Sequence, residues 1–294
     1  MYIELHCHSA FSFLNGASQP DELVMAAQSL GYPTLALTDT NGLYGSMAFA
    51  QAAKHIGIQA ITGADLTLLD NSRVTLLAET AEGYSNLCRL ITETHLGRED
   101  RFDPRLDFNS LEARQEGLIV LSGNREGLLP TILTQRGFSA ARSFASRCRS
   151  VFGKDRFFIE LQRNSVRGDR DRMRALTAIA DSVGLNVVAT GDVRYHQQSR
   201  HQLHDVLVTI KNRTTLDGSH TARLPNIEFY LRSPREAELM FRDRPDAIAN
   251  TLVIAERCAQ FDLTKDLGYK FPDFRGQEKQ TAPNALAQLC WTTL

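Results

Sequence analysis

The sequence is poor in cysteine and has no close pair of them. Cys7, Cys88, Cys148, Cys258 and Cys290 lie far apart in 294 residues, with no CxxC. A zinc ribbon and a thioredoxin-type redox site are thereby excluded. Charge of one sign is also lacking: 33 Lys and Arg face 34 Asp and Glu, a formal net of -1. Bulk charge therefore exerts no pull toward nucleic acid or an anionic membrane, and any such surface has to be a local patch. No run reaches the roughly 20 apolar residues that span a bilayer. The N-terminal residues have no basic stretch followed by an apolar one, so no secretory signal is expected. The expected setting is a reducing cytoplasm, where the Asn212-Arg213-Thr214 sequon is silent. No GxxxxGK or GxGxxG follows an apolar run and no GxSxG occurs. Phosphate-loop nucleotide binding and a serine-hydrolase elbow are not indicated.

What is present is a globular composition, 43% hydrophobic and 23% charged, with ample apolar content for one large domain or two ordinary ones. Seven apolar runs of strand length stand at residues 3–6, 34–38, 60–63, 74–77, 118–121, 157–161 and 186–190. Helical patterns separate several of them, at 20–30, 46–55, 83–95 and 167–183. Pro20, Asp21 and Glu22 suit the first helix's opening turn, and Gly31, Gly57 and Gly184 follow helix ends. Apolar strands alternating with helices predict parallel strands buried on both faces, hence a (β/α) barrel over residues 1–200. Beyond it, helical patterns at 202–211, 234–241 and 246–259 predict a helical extension over 201–272. A polar linker, 273–281, and a last helix, 283–294, are expected to complete the chain. Its apolar pattern breaks off at Leu294, which suggests that more sequence normally follows.

Barrel chemistry gathers where strands end. That rule selects His6, His8, Asp39, Thr40, Asp65, Asn124, Asp192 and Arg194. Two histidines at i and i+2 on a strand share a side and could share a divalent metal. Taken singly, each of these carboxylates reads as a helix cap or loop residue. Together with His6-Cys7-His8 they suggest a metal-assisted phosphoester-cleaving site.

These residues carry a resemblance. Glu4-Leu5-His6-Cys7-His8-Ser9, Leu37-Thr38-Asp39-Thr40-Asn41-Gly42, Ile61-Thr62-Gly63-Ala64-Asp65, Leu121-Ser122-Gly123 and Ala189-Thr190-Gly191-Asp192-Val193 resemble the PHP (polymerase and histidinol phosphatase) domain. The resemblance is to the PHP region of bacterial C-family DNA polymerase III alpha-type subunits, above all the error-prone branch. Leu203-His204-Asp205-Val206-Leu207 and Ala255-Glu256-Arg257-Cys258 extend it through the helical tail. It implies a distorted seven-stranded (β/α) barrel, a multi-metal site, and a role in DNA replication and repair beside a polymerase core. That core is expected on the same chain or a separate one, and DNA is expected to be met through it. The last helix would be its truncated start.

The family's metal ligands are only partly retained. His6, His8, Asp65 and Asp192 keep ligand chemistry, Asp65 standing for a glutamate. Ala10, Thr40, Arg73, Asn124 and Arg194 stand where the family places other ligands. A guanidinium cannot deprotonate to bind a metal and adds fixed positive charge. If Arg73 and Arg194 face inward, they pair with Asp65 and Asp192 and replace the metals' charge. If they turn outward, a single zinc or manganese on His6, His8 and Asp192 remains open. The first outcome predicts no cofactor and a scaffold role, the chain alone being non-catalytic. The second predicts a residual metal-dependent phosphoesterase or 3′–5′ exonuclease. A free-standing sugar-phosphate phosphatase fits less well, because the polymerase-like tail has no purpose in it.

Other residues read more plainly. His196, His201 and His204 follow the last strand, and His95 ends a helix; surface or capping roles suit them. Arg163, Arg167, Arg170, Arg172 and Arg174, interleaved with Asp169 and Asp171, predict a solvated, salt-bridged face. Phe11 and Phe13 could stack on a base, but are expected to plug the barrel mouth.

Overall fold

Apolar, β-branched segments pair through their backbones because a buried, unpaired N–H or C=O is costly. Six of them form one sheet, in the order β1-β2-β3-β4-β5-β6. The strands are β1 (Thr34–Thr40), β2 (Gln59–Thr67), β3 (Arg73–Ala78), β4 (Leu118–Leu121), β5 (Phe157–Gln162) and β6 (Asn186–Thr190). The computed structural model describes residues 1–96, 103–268 and 281–293. β3 is antiparallel to both of its neighbours, whereas the other pairs are parallel. The expectation of parallel strands throughout therefore fails. Only residues 68–72 join β2 to β3, and so short a link cannot make the crossover that parallel pairing needs.

The expected strand at residues 3–6 also fails to form a ladder, and its one bridge is Cys7 to Val193. The segment is extended and bonded on both sides. Ala36 N–H donates to Glu4 O (3.1 Å) and Thr38 N–H to Cys7 O (2.8 Å), while Val193 N–H donates to His6 O (2.9 Å). Side chains take the N–H groups that a regular strand would offer its neighbours. Thr251 Oγ1 accepts from Ile3, Glu4 Oε1 from His6 and Thr38 Oγ1 from Cys7. The result is a curled half-barrel of six strands in place of the expected seven-stranded barrel.

Successive strand residues point to opposite faces, which divides the core in two. Leu35, Leu37, Leu66, Val120 and Ile159 face the surrounding helices in the main cluster. Ala36, Ile61, Leu77, Ile119, Phe158 and Val188 face inward and pack with Ile254, Ala255 and Cys258. Those three belong to α9 (Pro245–Cys258), so α9 fills one end of the curled sheet. Each fully buried aliphatic there contributes about 1.5–3 kcal/mol. Toward the other end the inward rows turn polar, as Ile61–Gly63–Asp65 on β2, Leu77–Thr75–Arg73 on β3 and Phe158–Glu160–Gln162 on β5.

The expected helices form as α1 (Pro20–Ser29), α2 (Ser46–Ile56), α3 (Ala81–Leu96), α6 (Asp169–Val183), α7 (His201–Lys211), α8 (Pro234–Met240), α9 and α10 (Ala282–Thr293). Two more were not expected, α4 (Phe108–Ala113) and α5 (Leu128–Phe152). In α5, Gly137 has φ 81° and interrupts the apolar period. The expected linker, apart from Thr281, lies outside the described residues. Among the described residues no helix is long and apolar enough to cross a membrane.

Candidate metal centre

The polar end of the half-barrel gathers the residues selected from the sequence. His6 and His8, two apart on the extended N-terminal segment, turn to one side and are fully buried. Their Nε2 atoms are 3.1 Å apart. Asp192 Oδ1 lies 3.9 Å from His6 Nε2 and 3.6 Å from His8 Nε2. Asp65, inside β2, stands 4.0 Å from His8 Nε2.

A chain of hydrogen bonds runs through the two imidazoles. His6 Nδ1–H donates to Glu160 Oε1 at 2.7 Å. Burial alone pushes His6 down, but the Glu160 carboxylate, with Asp65 and Asp192 behind it, outweighs burial and lifts it to about 9. Burial, then the charges of Arg194, His6 and Arg73, push His8 well below its usual value. The network thus assigns an imidazolium at His6 whose Nε2–H donates to neutral His8. His8 Nδ1–H donates in turn to Ser12 Oγ (3.1 Å), and Ser12 O–H to Asp39 Oδ1 (2.7 Å). Asp39 also accepts from the Ser9 amide and hydroxyl, both at 2.7 Å. In this structure Asp39 therefore anchors the loop after the histidines rather than joining the ligand cluster.

Both arginines turn inward. Arg73 Nη1 is 2.9 Å from Asp65 Oδ2, and Arg194 Nη2 is 2.6 Å from Asp192 Oδ1. Asn124 Nδ2 donates to the other Asp192 oxygen at 3.2 Å. Thr40 Oγ1 lies 3.5 Å from both Arg73 Nη1 and His8 Nδ1. Ala10 contributes only its amide, which donates to Ser18 O at 2.7 Å. Arg194 is 5% exposed, yet its Nε and Nη1 find no hydrogen-bond partner in the structure.

The fit to a metal is partial. Among the described residues, His6, His8 and Asp192 form the one group of three such side chains whose ligand atoms all lie within 4.8 Å of one another. The 3.1 Å between the imidazole nitrogens suits one ion about 2.0–2.1 Å from each. The oxygen that completes the set already faces the Arg194 guanidinium. The described residues offer no second such group, and Arg73 and Arg194 set fixed positive charge against Asp65 and Asp192. A divalent ion at the three residues would act as a Lewis acid toward a phosphoryl oxygen.

Sequence reasoning missed Glu160, Thr75 and Ser12. Glu160 had a signal, a carboxylate interrupting the apolar run Phe157-Phe158-Ile159. Thr75 donates to Asp65 at 3.3 Å, but a threonine in a strand announces nothing. Ser12 depends on how its loop folds. The other histidines stay outside the cluster. His196 Nδ1 meets Ser18 Oγ at 2.8 Å, His95 Nε2 meets Asn41 O at 2.7 Å, and His201 Nδ1 meets Gln198 O at 2.9 Å. His204 is buried edge-on against Tyr195. The Arg172–Asp169 and Arg174–Asp171 pairs form as expected. Phe11 and Phe13 do not plug the mouth: they are 42% and 81% exposed.

The family model for the PHP domain matches residues 4–164, more than half of the chain. The chain belongs to the PHP domain family. Its relatives among curated sequences include an error-prone DNA polymerase of Symbiobacterium thermophilum, 38% identical over 87% of this chain and 25% of that protein. Another is an error-prone DNA polymerase of Mycolicibacterium paratuberculosis, 35% identical over 99% of this chain and 27% of that protein. This PHP chain thus spans about a quarter of the length of those relatives. Among solved structures it is similar to an amidohydrolase from Chromobacterium violaceum. The TM-score is 0.48 and the identity 15%, covering 66% of this chain and 88% of the other.

Proposed function

We propose that this chain is the PHP unit of an error-prone DNA polymerase of the III alpha type, with ion pairs in place of its metals. The unit serves replication and repair as a folded scaffold for the polymerase core. The observation that carries the reading is the inward turn of both substituted arginines onto retained carboxylates, at 2.9 and 2.6 Å. Each guanidinium supplies the positive charge that a cation would otherwise bring, and it does so permanently. The residues after 200 belong to the same scaffold, since α9 seals the floor of the half-barrel. The described residues after 200 thus form an extension that packs on the sheet through α9, and the polymerase core lies on the same chain or on a separate one.

Calorimetric titration of the chain with zinc and with manganese tests this. The expected result is no micromolar binding, and no nucleotide release from single-stranded DNA with either ion. Micromolar binding that a His6→Ala, His8→Ala double variant abolishes would overturn it. A second reading is supported by the compact His6, His8 and Asp192 group: one ion there, with residual phosphoesterase or 3′–5′ exonuclease activity. Nucleotide release lost in the same double variant would establish that reading.

A further inference from the structure

The chain's near-zero net charge leaves room for contact with a polyanion only at a local patch. The outer flank of α5 carries one. Its 25 residues hold four arginines, Arg136, Arg142, Arg147 and Arg149, and no aspartate or glutamate. After Gly137, the residues Ala141, Ala145, Cys148 and Phe152 are buried in the main apolar cluster and seat the helix on the outside of the sheet. Phe152 stacks on Phe157, the first residue of β5, at 5.8 Å. This part of α5 therefore runs toward the floor of the half-barrel, away from the mouth. The helical period puts Ser139, Arg142, Ser143, Ser146, Arg149 and Ser150 on the opposite face, and all six are exposed.

The arginines differ in what compensates them. Arg147 is committed, 2.8 Å from Glu112 of α4 and lying over the Phe108 ring. Arg149 Nη1–H donates to Val183 O at 2.7 Å, a carbonyl that leaves the guanidinium charge unneutralised. Arg136 and Arg142 form no ion pair with a described residue. A serine within a helix often turns its hydroxyl back onto the carbonyl four residues earlier. Ser150 does so, to Ser146 O at 3.2 Å. Ser139, Ser143 and Ser146 do not, so their hydroxyls stay available. Arg142 and Arg149, seven residues apart, are separated by about 10 Å along the helix axis. That equals about three phosphates on one strand of a DNA duplex. The face has no apolar centre: of the residues of α5, Phe138 at its start is the one large hydrophobic side chain prominently exposed. The desolvated apolar anchor of a protein interface is therefore missing, whereas guanidinium and hydroxyl donors are the groups that hold phosphate.

We propose that the outer face of α5 docks the phosphate backbone of duplex DNA without regard to sequence. Arg142 and Arg149 meet phosphates, and the serine hydroxyls between them donate to the same strand. The contact uses no metal, no base edge and no residue of the mouth. It goes beyond the scaffold reading and is independent of it, since binding is measured in the presence of a chelator.

The test is fluorescence anisotropy of the full chain in EDTA with two labelled DNA duplexes of unrelated sequence, from about 50 to about 200 mM salt. Both are expected to bind alike, with Kd of about 10–100 μM at the low-salt end and a steep loss as salt rises. The Arg142→Ala, Arg149→Ala double variant should bind about ten-fold more weakly and lower the salt slope by about 2. Arg142→Glu alone leaves the Arg149–Val183 bond in place and should weaken binding as well. Arg174→Ala, on α6, removes one positive charge from an exposed pair with Asp171 and should leave the slope unchanged. Thermal melts verify that the variants fold. Absence of salt-dependent binding to either duplex overturns the proposal, as does an unchanged slope in the double variant or an equal loss in Arg174→Ala. Polyglutamate bound as tightly as the duplexes overturns it too, and assigns the face to an acidic protein segment. Tight metal binding at the mouth would overturn the scaffold reading and leave this one standing.

Discussion

At one end of the inward rows, Ile254, Ala255 and Cys258 of α9 pack against Ile61 and Phe158; at the other, Arg73 and Arg194 lie against Asp65 and Asp192. The first end is held by dispersion and the exclusion of water, which depend on volume and scarcely on direction. The second is held by charge pairs whose value depends on both partners being present. A buried ion pair adds little net stability over a well-packed apolar pair, but losing one partner leaves an uncompensated charge. The floor thus holds the sheet together, and the mouth specifies which side chains meet.

The largest expected effect lies at the floor. Phe158→Ala should lower unfolding free energy by about 4 kcal/mol in urea melts, with no single charge change able to restore it. At the mouth, Arg73→Leu should cost about 3 kcal/mol by stranding Asp65. The Asp65→Leu, Arg73→Leu double variant should recover to within about 1 kcal/mol of the parent. A double variant as unstable as the sum of its singles would break the contrast, because the mouth would then behave like the floor.

The next effect is a pH window set by buried histidines. The folded value of His6, about 9, lies above its unfolded 6.5. Its contribution is therefore full below about pH 6.5 and is lost as the pH rises through about 9. His204 is pushed down to about 4, by burial and then by Arg194. Its contribution is present above about pH 6.5 and is lost as the pH falls toward 4. Each of these histidines adds a slope of at most about 1.4 kcal/mol per pH unit. His6→Gln should remove the alkaline limb, and His204→Leu should weaken the acid one, to which His8 also contributes, in denaturation followed across pH. Phe158→Ala should lower the whole curve without moving either limb. The smallest effect is expected from Thr38→Val, about 1 kcal/mol. It removes the Oγ1 that accepts from Cys7 N–H at 3.0 Å, and amide exchange at Cys7 should quicken with it.

Much of the mouth was legible in advance, for a local reason. His6, His8, Asp65, Asp192 and Arg194 were found because polar residues at the ends of apolar runs stand out, whereas Arg73 came only from the resemblance to the PHP domain. Glu160 was overlooked although it interrupts such a run, because the rule applied looked past strand ends and not within strands. Phe11 and Phe13 were misplaced because their alternation says nothing about whether a loop folds in or out; Asp39 and the serines decide that. The strand at 3–6 was expected from its apolar character. Its ladder is missing because Thr38, Glu4 and Thr251 take its amides, and Thr251 lies 248 residues from Ile3 in the chain.

The sequence by itself determined the apolar-to-polar order along each strand and most of the helices. These depend on residue type and local period, which any short window of the chain contains. Only the tertiary structure decided that β3 runs antiparallel, that Arg73 meets Asp65 while Arg194 meets Asp192, and that His6 rests on Glu160. Those outcomes depend on angstrom-scale distances between residues up to 154 positions apart. The energy of a charge pair or hydrogen bond falls away within those few ångströms, so only the folded chain selects among the partners.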